Sequence, residues 1–198
     1  MRRIHIPLVL LLALYLLAHF GSGLRERLPD LSNVTQAQSY SIGIHYAPAE
    51  NLERLDADAL RKARRKIDIC MYAFTSRFLA ELLVDRARSG VKVRTYRDGE
   101  QFEEEQRWKG GLASTTNLLR GQRNIEIRVK PPSQRLLLHL KMYQVDGVLL
   151  RDGSANWSPA GLKDQDNSLS FVTDPAALRS FERNFEAIWN RRNNRVVQ

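Results

Sequence analysis

Ser41 to Tyr46 alternates apolar and polar positions and predicts a first strand, closed by Pro48. Leu52, Leu55, Ala59, Leu60 and Ala63 recur at helical spacing, so a helix is expected to reach about Lys66. Ile67 to Phe74 is a continuous apolar run and predicts a second strand. Ser76 is placed to cap the next helix, whose buried face is Phe78, Leu79, Leu82, Leu83 and Ala87, with Gly90 as its stop. Val91 to Tyr96 is a third strand, closed by Asp98-Gly99. This rhythm of strand and helix predicts a parallel sheet with covering helices. Between Gln101 and Gly121 the pattern weakens to an acidic run (Glu103 to Glu105), a break at Gly110-Gly111 and a short helix over Thr115 to Arg120. Ile125 to Val129 reads as another strand and is followed by Pro131-Pro132. Asp174 caps a last helix with Pro175 at its first position; Leu178, Phe181, Phe185, Ile188 and Trp189 form its core stripe.

The first residues follow a different pattern. Met1-Arg2-Arg3 is basic, and Ile4 to Phe20 is almost wholly apolar, broken by His5, Pro7, Tyr15 and His19. Gly21-Ser22-Gly23 follows. Residues 1–23 are expected to be a secretory signal peptide or an uncleaved signal anchor, and 24–39 a polar linker to a domain over 40–198. The apolar run is slightly short of the roughly 20 residues a comfortable span requires, and cleavage and anchoring stay equally open. Arg2 and Arg3 favour a cytoplasmic N-terminus, with the domain across the membrane. The expected location is a bacterial periplasm, the medium, or the outer face of the inner membrane.

Composition narrows the class. The 198 residues are 43% hydrophobic and 27% charged, ordinary for a folded chain, which excludes collagen-like and disordered classes. One cysteine excludes an intrachain disulfide framework and a cysteine-based zinc site. The net charge is +9; loss of residues 1–23 takes away two arginines and leaves +7. A basic exported domain suggests an anionic partner such as nucleic acid or a phospholipid surface.

Candidate chemistry is concentrated in one segment. Leu136 to Val145 reads as a strand, Asp146-Gly147 as a two-residue hairpin, and Val148 to Leu150 as the return strand. Asp152-Gly153 is expected to make a second turn into Ser154-Ala155-Asn156-Trp157. His139 and Lys141 share a strand face, so both reach one ligand, whereas Asp146 has the opposite parity and is expected to serve turn geometry. Ser154 and Asn156, two apart, also point together. An imidazole, an ammonium, a hydroxyl and an amide thus converge.

That spacing resembles the phospholipase D superfamily signature, H-x-K-x4-D followed by x6-G-S-x-N, at His139, Lys141, Asp146, Gly153, Ser154 and Asn156. Ile67 to Asp98 resembles the family's lead-in, and Asp166-Asn167 its Glu/Asp-Asn element. The likeness spans about residues 40 to 190 and is closest to the small, single-motif, secreted bacterial endonucleases. It implies an α/β fold with a mixed, largely parallel sheet flanked by helices on both faces. It further implies a metal-independent phosphodiesterase without cofactors. A histidine attacks phosphorus, a second protonates the leaving oxygen, and lysines and asparagines hold the phosphoryl oxygens. One chain carries one such histidine, so the likeness implies a homodimer with a composite site built from both copies of His139, Lys141 and Asn156. Ser154 adds a hydroxyl, and Asp166 is the candidate for orienting His139. The implied substrate is DNA or RNA cleaved with low sequence specificity; the alternative is a phosphatidyl lipid or cardiolipin at a membrane.

Other residues carry plainer readings. His45 is structural or on the surface, and Cys70 is a buried thiol. The run Arg61, Lys62, Arg64, Arg65 and Lys66 is a solvated helix face or the wall of a polyanion groove, and Arg191 to Arg195 shares that ambiguity. Trp108 and Trp157 are candidates to stack on substrate, Trp157 the stronger because it adjoins Asn156, with a packing role for it equally open.

Overall fold

The computed structural model describes residues 40–107, 114–133 and 135–198. The expected signal or anchor (1–23), the linker (24–39) and Trp108 lie outside the described residues. Fourteen elements follow in order: β1 (Ile42–Ala47), α1 (Leu52–Arg61), β2 (Lys66–Met71), α2 (Arg77–Arg88), β3 (Lys92–Arg97), α3 (Gly99–Arg107), α4 (Thr115–Leu119), β4 (Ile125–Val129), β5 (Lys141–Val145), β6 (Leu149–Gly153), α5 (Pro159–Lys163), β7 (Asn167–Val172), α6 (Pro175–Trp189) and β8 (Arg195–Val197). The strands form one eight-stranded sheet in the order β1-β7-β6-β5-β2-β3-β4-β8.

The mixed sheet expected from the sequence is present. Its parallel part is confined to β2, β3 and β4, which are joined by helical crossovers. All other pairings are antiparallel, because the second half of the chain returns through a hairpin rather than a crossover. Asp146 and Gly147 both have positive φ, 53° and 74°, as that two-residue turn requires.

Side-chain parity divides the core. Ile67, Ile69 and Met71 of β2 pack with Leu60, Leu79 and Leu83 on one face. Cys70 lies on the other with Leu138, Leu150, Leu178, Phe181 and Phe185. Helices therefore cover both faces, α6 alone closing the second. Burial pushes the Cys70 thiol up, leaving it protonated and inert. Among the described residues no helix is long and apolar enough to cross a membrane.

Several boundaries differ from the pattern, each for a local reason. The first helix stops at Arg61 rather than near Lys66. The Asp146 carboxylate takes the amides of Arg64, Arg65 and Lys66 at 2.7, 2.8 and 2.8 Å, which draws that segment out of helix and into β2. The basic run there is partly paired, Arg61 with Asp58 and Lys66 with Asp68 and Glu182. The strand expected from Leu136 ladders only from Lys141, and Asp152-Gly153 ends β6 instead of turning. Arg195, read as a basic tail, opens β8 against β4. Strand β7 and helices α3 and α5 were not expected from the sequence.

Candidate active site

Strand β5 lies between β2 and β6 and runs antiparallel to both. The start of β5 therefore meets the ends of β2 and β6 at one end of the sheet's central strands. His139 and Lys141 come from the first, Tyr72 and Ala73 from the second, and Ser154 and Asn156 from the third. Register is held there by the Tyr72 amide, which donates to the Leu140 carbonyl at 2.9 Å.

His139 is exposed. Its ring lies 4.8 Å from that of Tyr72, tilted by 56°, and among the described residues no hydrogen bond reaches the imidazole. A free ring nitrogen on an open edge is what a nucleophile requires. Lys141 is buried, 6% exposed, with Nζ donating to the His139 carbonyl at 2.9 Å and lying 4.7 Å over the Tyr72 ring. Burial, together with repulsion from Arg151, lowers its ammonium to about 8, against the attraction of Asp98. Asn156 approaches the same segment, its Oδ1 standing 3.5 Å from the Ala73 amide nitrogen. Tyr72-Ala73 thus touches all three of the residues singled out from the motif.

The remaining candidates occupy supporting places. The Ser154 hydroxyl donates to Asn167 Oδ1 at 2.8 Å and accepts from the Ser168 amide at 2.9 Å, which fixes the β6 exit against β7. Gly153 is required by close approach, since a Cβ there would overlap the Ser168 carbonyl and stand 2.9 Å from Leu169 Cα. Asp146 is remote from the site. Burial opposes its ionised form, but the amides of Lys66, Arg64 and Arg65 hold its carboxyl below the usual range. Asp166 is exposed in the turn before β7, and within one chain neither a hydrogen bond nor an ion pair joins it to His139. Trp157, a candidate for stacking on substrate, is instead fully buried between Phe74 and Tyr143, with Nε1 donating to Asp56 at 2.8 Å. Its indole is an anchor of the core because it follows Asn156 in a segment pulled back under that end of the sheet.

Four further residues support the site, and of these the sequence offered only Tyr72, within the family-like lead-in. Arg151 and Asp56, both 0% exposed, form an ion pair under the site. Arg151 donates to the carbonyls of Lys141 and Ala155, tying together the two strands that present Lys141 and Asn156. Asp56 also accepts from Tyr143 at 3.0 Å. Asp98 accepts from the Leu138 amide at 2.8 Å, securing the residue before His139 to the end of β3. The signal for Asp56 was its place on the apolar stripe of α1, four residues after Leu52. Among the described residues no group of three or more His, Cys, Asp or Glu side chains is placed to hold a metal ion.

The family model described as "Cardiolipin synthase, PLD-like domain" matches residues 57–189, two thirds of the chain and all of the segment above. The chain belongs to the phospholipase D-like family. Curated relatives include the mitochondrial cardiolipin hydrolases of Chlamydomonas reinhardtii, 26% identical over 133 residues (67% of this chain, 55% of the relative), and Homo sapiens, 28% identical over 135 residues (68% and 50%). The chain thus spans about half the length of these relatives. Among solved structures, NucT from Helicobacter pylori superposes with a TM-score of 0.66 at 20% identity, covering 75% of this chain and 95% of that one. Nuc from Salmonella typhimurium, titled a phospholipase D family member, superposes with a TM-score of 0.66 at 23% identity over 81% and 99%. These likenesses show the phospholipase D-like fold.

Proposed function

We propose that the protein is a phosphodiesterase working through a phosphohistidine, with His139 as nucleophile and Lys141 and Asn156 holding the phosphoryl oxygens. The observation that carries this is an exposed imidazole without a hydrogen-bond partner among the described residues, placed by one segment beside an ammonium and an amide. A ring nitrogen of His139 bonds to phosphorus as the bond to the leaving oxygen breaks, and that oxygen takes a proton from the partner's His139. The partner's His139 then draws a proton from water, whose oxygen bonds to phosphorus as the bond from phosphorus to the His139 nitrogen breaks, which restores His139. One chain supplies one imidazole, so the site is completed by a second copy across a two-fold axis. No step uses a metal, and activity in excess EDTA is expected. Loss on chelation overturns the scheme.

For substrate, the excess of positive charge and the open position of His139 favour a nucleic acid, cleaved with low sequence specificity. Export, with residues 1–23 as signal or anchor, belongs to this reading. A second reading has its own observation: Leu136 and Leu137, 68% and 39% exposed, precede His139, and the curated relatives are named for cardiolipin hydrolysis. Exposed leucines at the mouth of a phosphodiester site suit a lipid surface. Incubating the purified protein in EDTA with plasmid DNA, RNA and cardiolipin-containing vesicles, beside His139→Ala, separates the two. Cleavage of nucleic acid that vanishes in the variant supports the first; lipid hydrolysis alone supports the second.

A further inference from the structure

We propose that Tyr72 is a positioning residue whose single ring holds the His139 imidazole and the Lys141 ammonium in one geometry. The inference rests on the phosphohistidine reading and deepens it. Tyr72 leaves the end of β2, where its amide is tied to Leu140, so its backbone is fixed between the two residues it touches. Its ring contacts the imidazole at 4.8 Å and lies under Lys141 Nζ at 4.7 Å. No other side chain is in ring contact with His139 among the described residues, and the imidazole has no hydrogen bond to set its plane. The Tyr72 ring therefore restricts how the nucleophile turns. The same ring offers its negative face to the ammonium and favours the charged form. Four further charges act on Lys141 or its neighbour. Arg151 of β6 repels the ammonium, Asp98 at the end of β3 attracts it, and Glu104 and Glu100 of α3 lie on the side of the Tyr72 hydroxyl. Among the described residues that hydroxyl makes no hydrogen bond, so the ring and not the phenol oxygen is assigned the role.

The test compares Tyr72→Phe, Tyr72→Leu and Tyr72→Met in the full chain, on a chromogenic aryl phosphodiester in EDTA, with His139→Ala alongside. Tyr72→Phe is expected to keep kcat within about twofold. Tyr72→Leu and Tyr72→Met are expected to lose roughly ten- to hundredfold in kcat with little change in KM, since the nucleophile is misplaced rather than the substrate unbound. The alkaline limb of their pH profiles is expected to move acid by about half a unit or more, the lower bound being the size of an exposed cation–π contact. NMR titration of the Lys141 side chain reads the same shift without turnover, so it also serves if the wild type shows no His139-dependent hydrolysis and the functional reading falls. Aliphatic variants with wild-type kcat and an unmoved Lys141 titration overturn the proposal. A Tyr72→Phe variant as impaired as Tyr72→Leu overturns it too, because the role then belongs to the hydroxyl.

Discussion

Replacing Lys141 with methionine removes an ammonium that the fold keeps at a cost. The side chain is 6% exposed, and burial and Arg151 lower it from 10.5 to about 8. At about 1.4 kcal/mol per unit that shift amounts to roughly 3 kcal/mol, and solvent at the open edge of the site reduces the expected value to about 1–2 kcal/mol. The sign follows from linkage. A lysine depressed in the folded state binds fewer protons there than in the unfolded chain, so stability rises with pH across the window from about 8 to 10.5. Below that window the charged Lys141 destabilises the fold, and methionine of similar length relieves it. Lys141→Met should therefore raise Tm at pH 7 by about 3–6 °C, and its Tm should lose the wild-type gain between pH 8 and 10. Activity should move oppositely, falling on the order of 10²- to 10³-fold with the loss of a phosphoryl-oxygen donor. In the wild type, rate should decline above about pH 8, close to tenfold per unit once Lys141 is neutral. Calorimetry across pH, beside a pH–rate profile, reads both. A methionine variant less stable than wild type, or a wild-type rate that stays flat to pH 10, refutes the reasoning.

Other substitutions test the scaffold. Asp56→Leu strands the Arg151 guanidinium without its counter-charge and should destabilise by about 3–5 kcal/mol in urea unfolding; a loss below about 1 kcal/mol contradicts the buried pair. Gly153→Ala forces a methyl into the Ser168 carbonyl and should cost roughly 1–3 kcal/mol and weaken activity through the displaced Ser154. Asp146→Asn weakens the contact with three backbone amides and should lower Tm near pH 7. Because the Asp146 carboxyl is held below its ordinary value, its stabilisation in the wild type is present above about pH 4 and is lost as the pH falls through the lowered value. The Tm gap between the two proteins should therefore narrow on acidification, and a gap constant from pH 7 to pH 2 would count against the assignment.

Local signals account for much of the fold. Caps at Ser76 and Asp174 and the Asp146-Gly147 hairpin were legible because each rests on a neighbouring backbone group. The mixed direction of the sheet was less so. Parallel β2, β3 and β4 and antiparallel β5, β6 and β7 are about equally apolar, and the connection from β4 into β5 carries no element that shows β5 returning beside β2. Strand β7 carries a usable pattern, Ser168 and Ser170 alternating with Leu169 and Phe171 after the polar turn residues Asp164 to Asn167, but Asp166-Asn167 read as a site element rather than as the entry to a strand. At the candidate site, motif spacing pointed to His139, Lys141 and Asn156, and the β5–β6 pairing with the Ala73 contact brings Asn156 to the other two. Tyr72, Arg151 and Asp56 depend on contacts between residues 60 to 100 positions apart, which no local pattern carries. Trp157, open between stacking and packing in the sequence, is decided by such a contact. Adjacency to Asn156 suggested the surface, whereas the Asp56 carboxylate gives its indole a buried partner.

The central claim is that phosphorus passes through His139. The protein should be mixed with a phosphodiester radiolabelled at phosphorus, in excess EDTA, and quenched within a turnover into alkali, which preserves phosphohistidine. An acid-labile label on the peptide carrying His139, formed and lost at rates compatible with kcat and absent from His139→Ala, is predicted. Full turnover in EDTA without any label on that peptide, or unimpaired hydrolysis by His139→Ala, would contradict it.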